Sequence, residues 1–183
     1  MQGSTYGLSF VSRAISYCTN KFYALDVGCG SGGRIVDRVV KAGFQLEGID
    51  ISAKMLEIAR AKHPGVSFHQ ADIIAWKPNH QYDLIVAWDS IFHLPMSLLG
   101  PTVEKLCDML APGGILLYTF GDAVGDHVGE MYGETFGYGA IGTAENLGII
   151  AAAGCICRHL EMDQFPEKHV VVIVEKAGAA NKL

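Results

Sequence analysis

The stretch Ala24-Leu25-Asp26-Val27-Gly28-Cys29-Gly30-Ser31-Gly32-Gly33 decides how the rest of the chain is read. Apolar residues around one acid run directly into a turn holding four glycines. That is a strand followed by a backbone that needs left-handed conformations, which only glycine adopts without steric cost. A helical pattern follows over 32–41, so the local unit is strand, glycine turn, helix, the opening of a βαβ fold.

The same rhythm continues along the chain. Strands are predicted at 23–27, 45–49, 66–69, 84–88, 115–120, 156–161 and 169–175, and helices at 32–41, 53–62 and 98–110. Ser52 is placed to cap the second helix, and Ala111-Pro112-Gly113-Gly114 is a stop signal after the third. Near the N-terminus, Leu8, Val11, Ile15 and Cys18 share one helical face, which is expected to pack on the sheet or cover the site. Residues 121–142 differ in kind, since seven glycines alternate there with acids and aromatics. They read as a mobile insertion after the fifth strand, placed to act as a lid. The 183 residues are enough for one α/β domain over 1–183, with 1–21 as an N-terminal helical cap.

Composition narrows the partners. Fourteen Lys and Arg against nineteen Asp and Glu give a net charge of −5, which offers no footprint for nucleic acid. Five cysteines without a C-x-x-C pair suggest neither a disulfide framework nor a zinc ribbon, and a reducing compartment fits them best. There is no basic segment leading into a long apolar run, so a soluble cytoplasmic protein without a membrane partner is expected. The final Asn181-Lys182-Leu183 lacks the serine of a peroxisomal tail.

In an open α/β sheet, ligands sit at the carboxyl ends of strands where the strand order reverses, so the glycine turn marks the site. Gly28, Gly30 and Gly33 fit the G-x-G-x-x-G dinucleotide pattern, whereas Arg34-Ile35 after Gly33 excludes a phosphate-binding Walker loop. Asp26 argues against a pyrophosphate, which it would repel. It favours the cationic methionine end of S-adenosylmethionine, unless the acid only ties the turn together. Asp50, 22 residues beyond Gly28, is placed to accept from ribose hydroxyls or to cap the next helix beside Ser52. Asp72 is placed to accept from an adenine amino group while Ile73 packs on the ring. Trp76 borders the adenine or fills the core, and core packing is the default for Trp88.

Five motifs in order resemble the class I S-adenosylmethionine-dependent methyltransferases over 25–175: Asp26-Val27-Gly28-Cys29-Gly30-Ser31-Gly32, Gly48-Ile49-Asp50-Ile51-Ser52, Ala71-Asp72-Ile73, Tyr82-Asp83-Leu84-Ile85-Val86-Ala87-Trp88-Asp89 and Leu110-Ala111-Pro112-Gly113-Gly114. The resemblance implies a Rossmann-like three-layer sandwich. Its sheet has seven mostly parallel strands in order 3-2-1-4-5-7-6, with the last strand antiparallel. It implies S-adenosyl-L-methionine as cofactor, S-adenosyl-L-homocysteine as product, and Asp26, Gly28, Cys29, Gly30, Asp50, Ile51, Asp72, Ile73 and Asp89 around the cofactor.

The acceptor side is read from Asp89-Ser90-Ile91-Phe92-His93, which replaces the N/D-P-P-Y signature of adenine and glutamine methyltransferases and points to a small-molecule acceptor. Asp89 and His93 are the catalytic candidates, with His93 either a base or a histidine making one backbone bond. Ser90, His93, His127, Tyr132, Phe136 and Tyr138 are the candidate substrate contacts. His127 and Glu130 are three apart, and His159 and His169 lie later in the chain, without a recognised ligand pattern, so no metal is expected and these residues are read as orienting substrate or solvating a loop. A non-catalytic cofactor-binding module and a nicotinamide oxidoreductase are the alternatives, and oligomeric state is open.

Overall fold

The computed structural model describes residues 5–131 and 133–178. Tyr132 and the tail with Asn181, Lys182 and Leu183 lie outside the described residues.

Strand β1 (Tyr23–Val27) is central and pairs in parallel with β2 (Gln45–Asp50) on one side and β4 (Tyr82–Ala87) on the other. β3 (Ser67–Gln70) extends the sheet beyond β2, and β5 (Leu110–Gly121), β9 (His169–Lys176) and β8 (Cys155–Met162) extend it beyond β4. The order is β3-β2-β1-β4-β5-β9-β8, and β9 runs antiparallel to both its neighbours. Counted within this sheet alone, that is the expected seven-stranded order. The chain has nine described strands because β6 (Val124–Met131) and β7 (Glu134–Ile141) pair separately as a hairpin.

A parallel sheet hides both faces, and the sequence supplies two apolar faces at period two. Leu84, Val86 and Trp88 join Val11, Val36 and Leu56 on one side. Ile85 and Ala87 join Val103, Leu106 and Ile150 on the other. The first side is covered by α1 (Leu8–Tyr17), α2 (Arg34–Lys41) and α3 (Ala53–Lys62), the second by α4 (Met96–Asp108) and α5 (Gly142–Ala152). These are the three expected layers. Helix α1 buries Val11, Ala14 and Ile15 against the sheet side, and Ser52 caps α3 by accepting from Met55 N at 3.4 Å. None of the described helices is long and apolar enough to cross a membrane.

Three local features add to or depart from the sequence reading. Residues 142–152 carry no helical rhythm in sequence, since Gly142, Gly148 and an apolar run blur it, yet they form α5 because Ile150 has an apolar sheet face to cover. The glycine-rich stretch is a hairpin: Asp126 faces Gly139, Val128 faces Gly137 and Gly129 faces Phe136 across its strands. A Cβ on Gly139 would collide with the backbone at Leu94 and Met96, so the hairpin lies on the post-β4 loop as bare backbone. Asp126 Oδ1 holds it there by accepting from Met96 N at 2.7 Å. Finally, Cys155 is buried but Cys157 is exposed, because β8 is an edge strand whose pairing shifts between Cys157 and His159.

Ile173 is fully buried between strands of the main sheet. Ile173→Ala is expected to cost about 2–5 kcal/mol through lost burial and a residual cavity. Urea unfolding checks this, and a loss below about 1 kcal/mol would show that the site collapses without a cavity.

Candidate functional site

The glycine turn is pinned to the end of β2. Gly28 N and Cys29 N both donate to Ile49 O, at 2.8 and 3.1 Å. Gly28 and Gly30 have φ of 72° and 53°, so the turn uses the left-handed region that glycine permits. A side chain on Gly28 would also strike Ser90. Asp50 completes the fastening, with Oδ2 accepting from Gly30 N and Oδ1 from Ser52 N, both at 2.8 Å. Its two sequence readings are therefore compatible: it fixes the start of the α3 segment while its carboxylate edges the cavity.

Asp26 is 3% exposed and accepts no hydrogen bond among the described residues. Burial, and then the nearby Asp50 charge, push its carboxyl up to about 7. A buried acid facing a second acid is a place for a cation, and a pyrophosphate there would add to the repulsion. Of the five buried side-chain polar atoms without a hydrogen-bond partner among the described residues, Trp88 Nε1 and Ser90 Oγ belong to side chains that line the cavities at the turn. Cys29 is buried in the turn, where desolvation followed by the Asp26 and Asp50 charges holds its thiol far above the reactive range.

Two cavities flank the turn. One of about 230 Å³ is polar, with Asp26, Ser31, Arg34, Trp88 and Asp89 in its walls. The other, about 360 Å³, is mostly apolar and holds Val27, Ile49, Ile51, Ile73, Leu94 and Phe136, with Asp50, Asp72, Asp89, Ser90 and His93 as its polar side chains. Ile51 is 73% exposed there, an uncovered apolar wall. Asp72 Oδ1 accepts from Ile74 N at 2.9 Å. Trp76 instead packs against the core beside His69, ring centroids 5.1 Å apart, and does not line this cavity.

A third cavity of about 570 Å³ lies between the hairpin and the sheet, walled by Phe92, His93, His127, Tyr138, Lys168 and His169. Asp89 borders all three cavities. Its φ of 48° makes it the one non-glycine residue with positive φ among those described, a conformation costing on the order of 1–3 kcal/mol. Asp89 N donates to Thr119 Oγ1 at 2.9 Å, and Asp89 Oδ1 meets His169 Nε2 at 2.9 Å. Phe136 lines the second cavity with its ring 5.7 Å from that of His93, which borders the second and third, and His93 Nδ1 lies 3.2 Å from Gly137 O. Tyr132, expected on the same wall, is outside the described residues.

Sequence reading missed Asp163 and Tyr6, and named His169 without placing it beside Asp89. Tyr6 hydroxyl donates to Asp163 Oδ2, Asp163 Oδ1 meets His169 Nδ1 at 2.5 Å, and Tyr6 O accepts from Arg34 Nε. The antiparallel last strand held a signal for the placement of His169. A strand running backwards puts its first residue at the ligand edge, and that residue is His169, opposite Gly121.

A family model described as a methyltransferase domain matches residues 24–114. The chain is 38% identical over 106 residues to a trans-aconitate 2-methyltransferase of Rhizobium etli, covering 56% of this chain and 40% of that protein. It is 36% identical over 102 residues to one from Methylobacterium radiotolerans, covering 54% and 38%. The chain thus spans about two-fifths of the length of the curated relatives it matches. Among solved structures, a methyltransferase from Clostridium acetobutylicum superposes with TM-score 0.75 at 13% identity, over 95% of this chain and 92% of that one. An amino pentose methyltransferase from Micromonospora echinaspora, solved with S-adenosylmethionine bound, gives 0.73 at 17% identity over 96% and 93%. These likenesses establish the fold.

The raised Asp26 carboxyl fixes a sign for stability. The folded protein holds this proton up to about pH 7 while the unfolded chain releases it near 3.8, so the Asp26 contribution is greatest at low pH and declines between those values. The ligand-free protein is expected to lose stability across that window on this account. Asp26→Asn, which stays neutral, should flatten that part of the profile. Urea midpoints of both proteins at pH 5 and pH 8 check it, and identical slopes in the two proteins would show that Asp26 is not the group responsible.

Proposed function

The chain belongs to the class I S-adenosylmethionine-dependent methyltransferases, and on that premise we propose that it methylates a small molecule held in the cavity beneath the hairpin. The meeting of three cavities at Asp89 carries this reading, because it provides a cationic subsite, an apolar subsite and an acceptor chamber in continuous contact. S-adenosylmethionine supplies, when bound, a methyl carbon activated for in-line displacement by its sulfonium.

The residues of the chain have separate tasks. Asp26 answers the methionine ammonium with a buried carboxylate, the unpartnered Trp88 Nε1 offers a donor in the same cavity, and Ser90 Oγ offers one in the adjoining cavity. Asp50 keeps lone pairs for the ribose hydroxyls beyond those used on Gly30 and Ser52. Ile51 and Ile73 clamp the adenine and Asp72 accepts from its amino group. Gly28, Cys29 and Gly30 bring bare backbone close to the ligand. Phe92, His93, Phe136 and Tyr138, with His127 across the chamber, enclose the acceptor and exclude water. The hairpin over 124–141 serves as a lid on this chamber. A chamber of about 570 Å³ suits a small molecule, and the net charge of −5 gives no track for nucleic acid. The names of the curated relatives point to a small acceptor as well.

The decisive test is calorimetric titration with S-adenosylhomocysteine and, in parallel, NADH. Micromolar binding of the first alone is expected, and binding of NADH alone would overturn the reading. Methyl-labelled cofactor offered with a panel of small acceptors then separates an enzyme from a binding module. Asp50→Ala should weaken S-adenosylhomocysteine by about 1.5–3 kcal/mol, the cost of losing charged hydrogen bonds. Since Asp26 must be ionised to meet the ammonium, affinity should be about tenfold weaker at pH 6 than at pH 8, and Asp26→Asn should abolish that dependence. A pH-independent affinity in the wild type removes Asp26 from the ammonium subsite.

A further inference from the structure

We propose that His169, oriented by Asp163, takes the proton of the acceptor's nucleophile during methyl transfer, and that the acceptor is therefore a hydroxyl or amine compound. This rests on the methyltransferase reading above.

His169 is held at both ring nitrogens. Its Nδ1 meets Asp163 Oδ1 at 2.5 Å, and the other oxygen of that carboxylate accepts from the Tyr6 hydroxyl. The Asp163 side chain is 3% exposed and the His169 side chain 13%. A buried carboxylate on Nδ1 keeps a proton there and leaves Nε2 to do chemistry, the arrangement that orients a catalytic imidazole. Nε2 faces the acceptor chamber at its junction with the cofactor cavities, 2.9 Å from Asp89 Oδ1. Phe92 meets the ring edge-to-face at 6.4 Å, fixing its tilt. By contrast, His93 Nδ1 lies 3.2 Å from the hairpin carbonyl of Gly137, and no carboxylate among the described residues pairs with its ring.

Three titratable groups contact the imidazole: Asp163 and Asp89, which outweigh the lowering effect of burial and raise it above 6.5, and Tyr6, whose own burial and Asp163 contact keep it protonated. Lys168 and Glu167 stand on the same chamber wall. The imidazole is thus a base whose neutral form becomes available only at a higher pH than that of a free histidine. In that form Nε2 accepts from the acceptor's O–H or N–H. As the nucleophile bonds to the methyl carbon, the carbon–sulfur pair stays on sulfur and the released proton passes to Nε2. The new Nε2–H is then held by Asp89, as in the structure.

The test combines imidazole NMR of the S-adenosylhomocysteine complex with methyl transfer to a panel of alcohols, amines and carboxylic acids. His169 is expected to titrate above 6.5 with Nδ1 protonated throughout, and Asp163→Asn should lower that midpoint. With an alcohol or amine acceptor, kcat should rise with pH through the same midpoint and shift with it in Asp163→Asn. His169→Gln should lower kcat about 10²- to 10⁴-fold without changing KM for the cofactor, while His159→Gln on β8 leaves kcat unchanged. Three results overturn the inference: a His169 midpoint at or below 6.5 or unmoved in Asp163→Asn, a kcat for His169→Gln within tenfold of wild type, or transfer confined to carboxylates, which need no base. If no acceptor reacts, the NMR titration decides. Failure of the wild type to bind S-adenosylhomocysteine instead overturns the methyltransferase reading itself.

Discussion

The site depends on one fastening: the carbonyl of Ile49 and the carboxylate of Asp50, at the end of one strand, hold the backbone N–H groups of the turn that ends its neighbour. Parallel strands share no tight connection, so side-by-side strand ends need bonds of this kind to stay in register. With Gly28, Cys29 and Gly30 fixed to β2, the crevice between the two strand ends has a rigid floor. Asp50 spends both carboxylate oxygens on backbone N–H groups, which fixes its side chain at the edge of the cavity.

The second constraint is electrostatic. Asp26 sits at the end of a buried strand beside another acid, an arrangement that destabilises its charged form in the ligand-free protein. The fold tolerates this because the acid can hold a proton. A cationic ligand reverses the balance, so the cost is recovered on binding. The strained Asp89 follows the same logic, since its unusual φ is held by Thr119 on one side and His169 on the other.

The N-terminal residues and the hairpin close the crevice from opposite sides. Tyr6 stacks edge-on to Trp88 with centroids 5.5 Å apart, and a Cβ on Gly7 would come within 2.6 Å of that indole. The helix after them packs on the sheet, so the residues preceding it, rather than α1, face the site. The hairpin reaches the post-β4 loop through Gly139 and Asp126, which explains why glycines alternate with larger side chains in a segment that composition alone describes as loose.

The sequence by itself determined the strand–turn–helix rhythm and the strand ends at which Asp26, Asp50 and Asp72 stand, because these rest on local patterns: period-two apolar faces, left-handed glycines, and acids at strand ends. Asp26, Asp50 and Asp72 lie within a few residues of the elements that place them, so their positions were legible. Only the tertiary structure decided the acceptor side. Asp89 and His169 stand 80 positions apart and meet because β9 enters the sheet backwards beside β5. Tyr6 and Asp163 join them from 157 positions apart. Residue 142 onward became a helix, and residues 124–141 a hairpin, because each had a surface to cover that local sequence does not describe. Contacts between distant segments are set by sheet order and packing, and no periodicity along the chain encodes them.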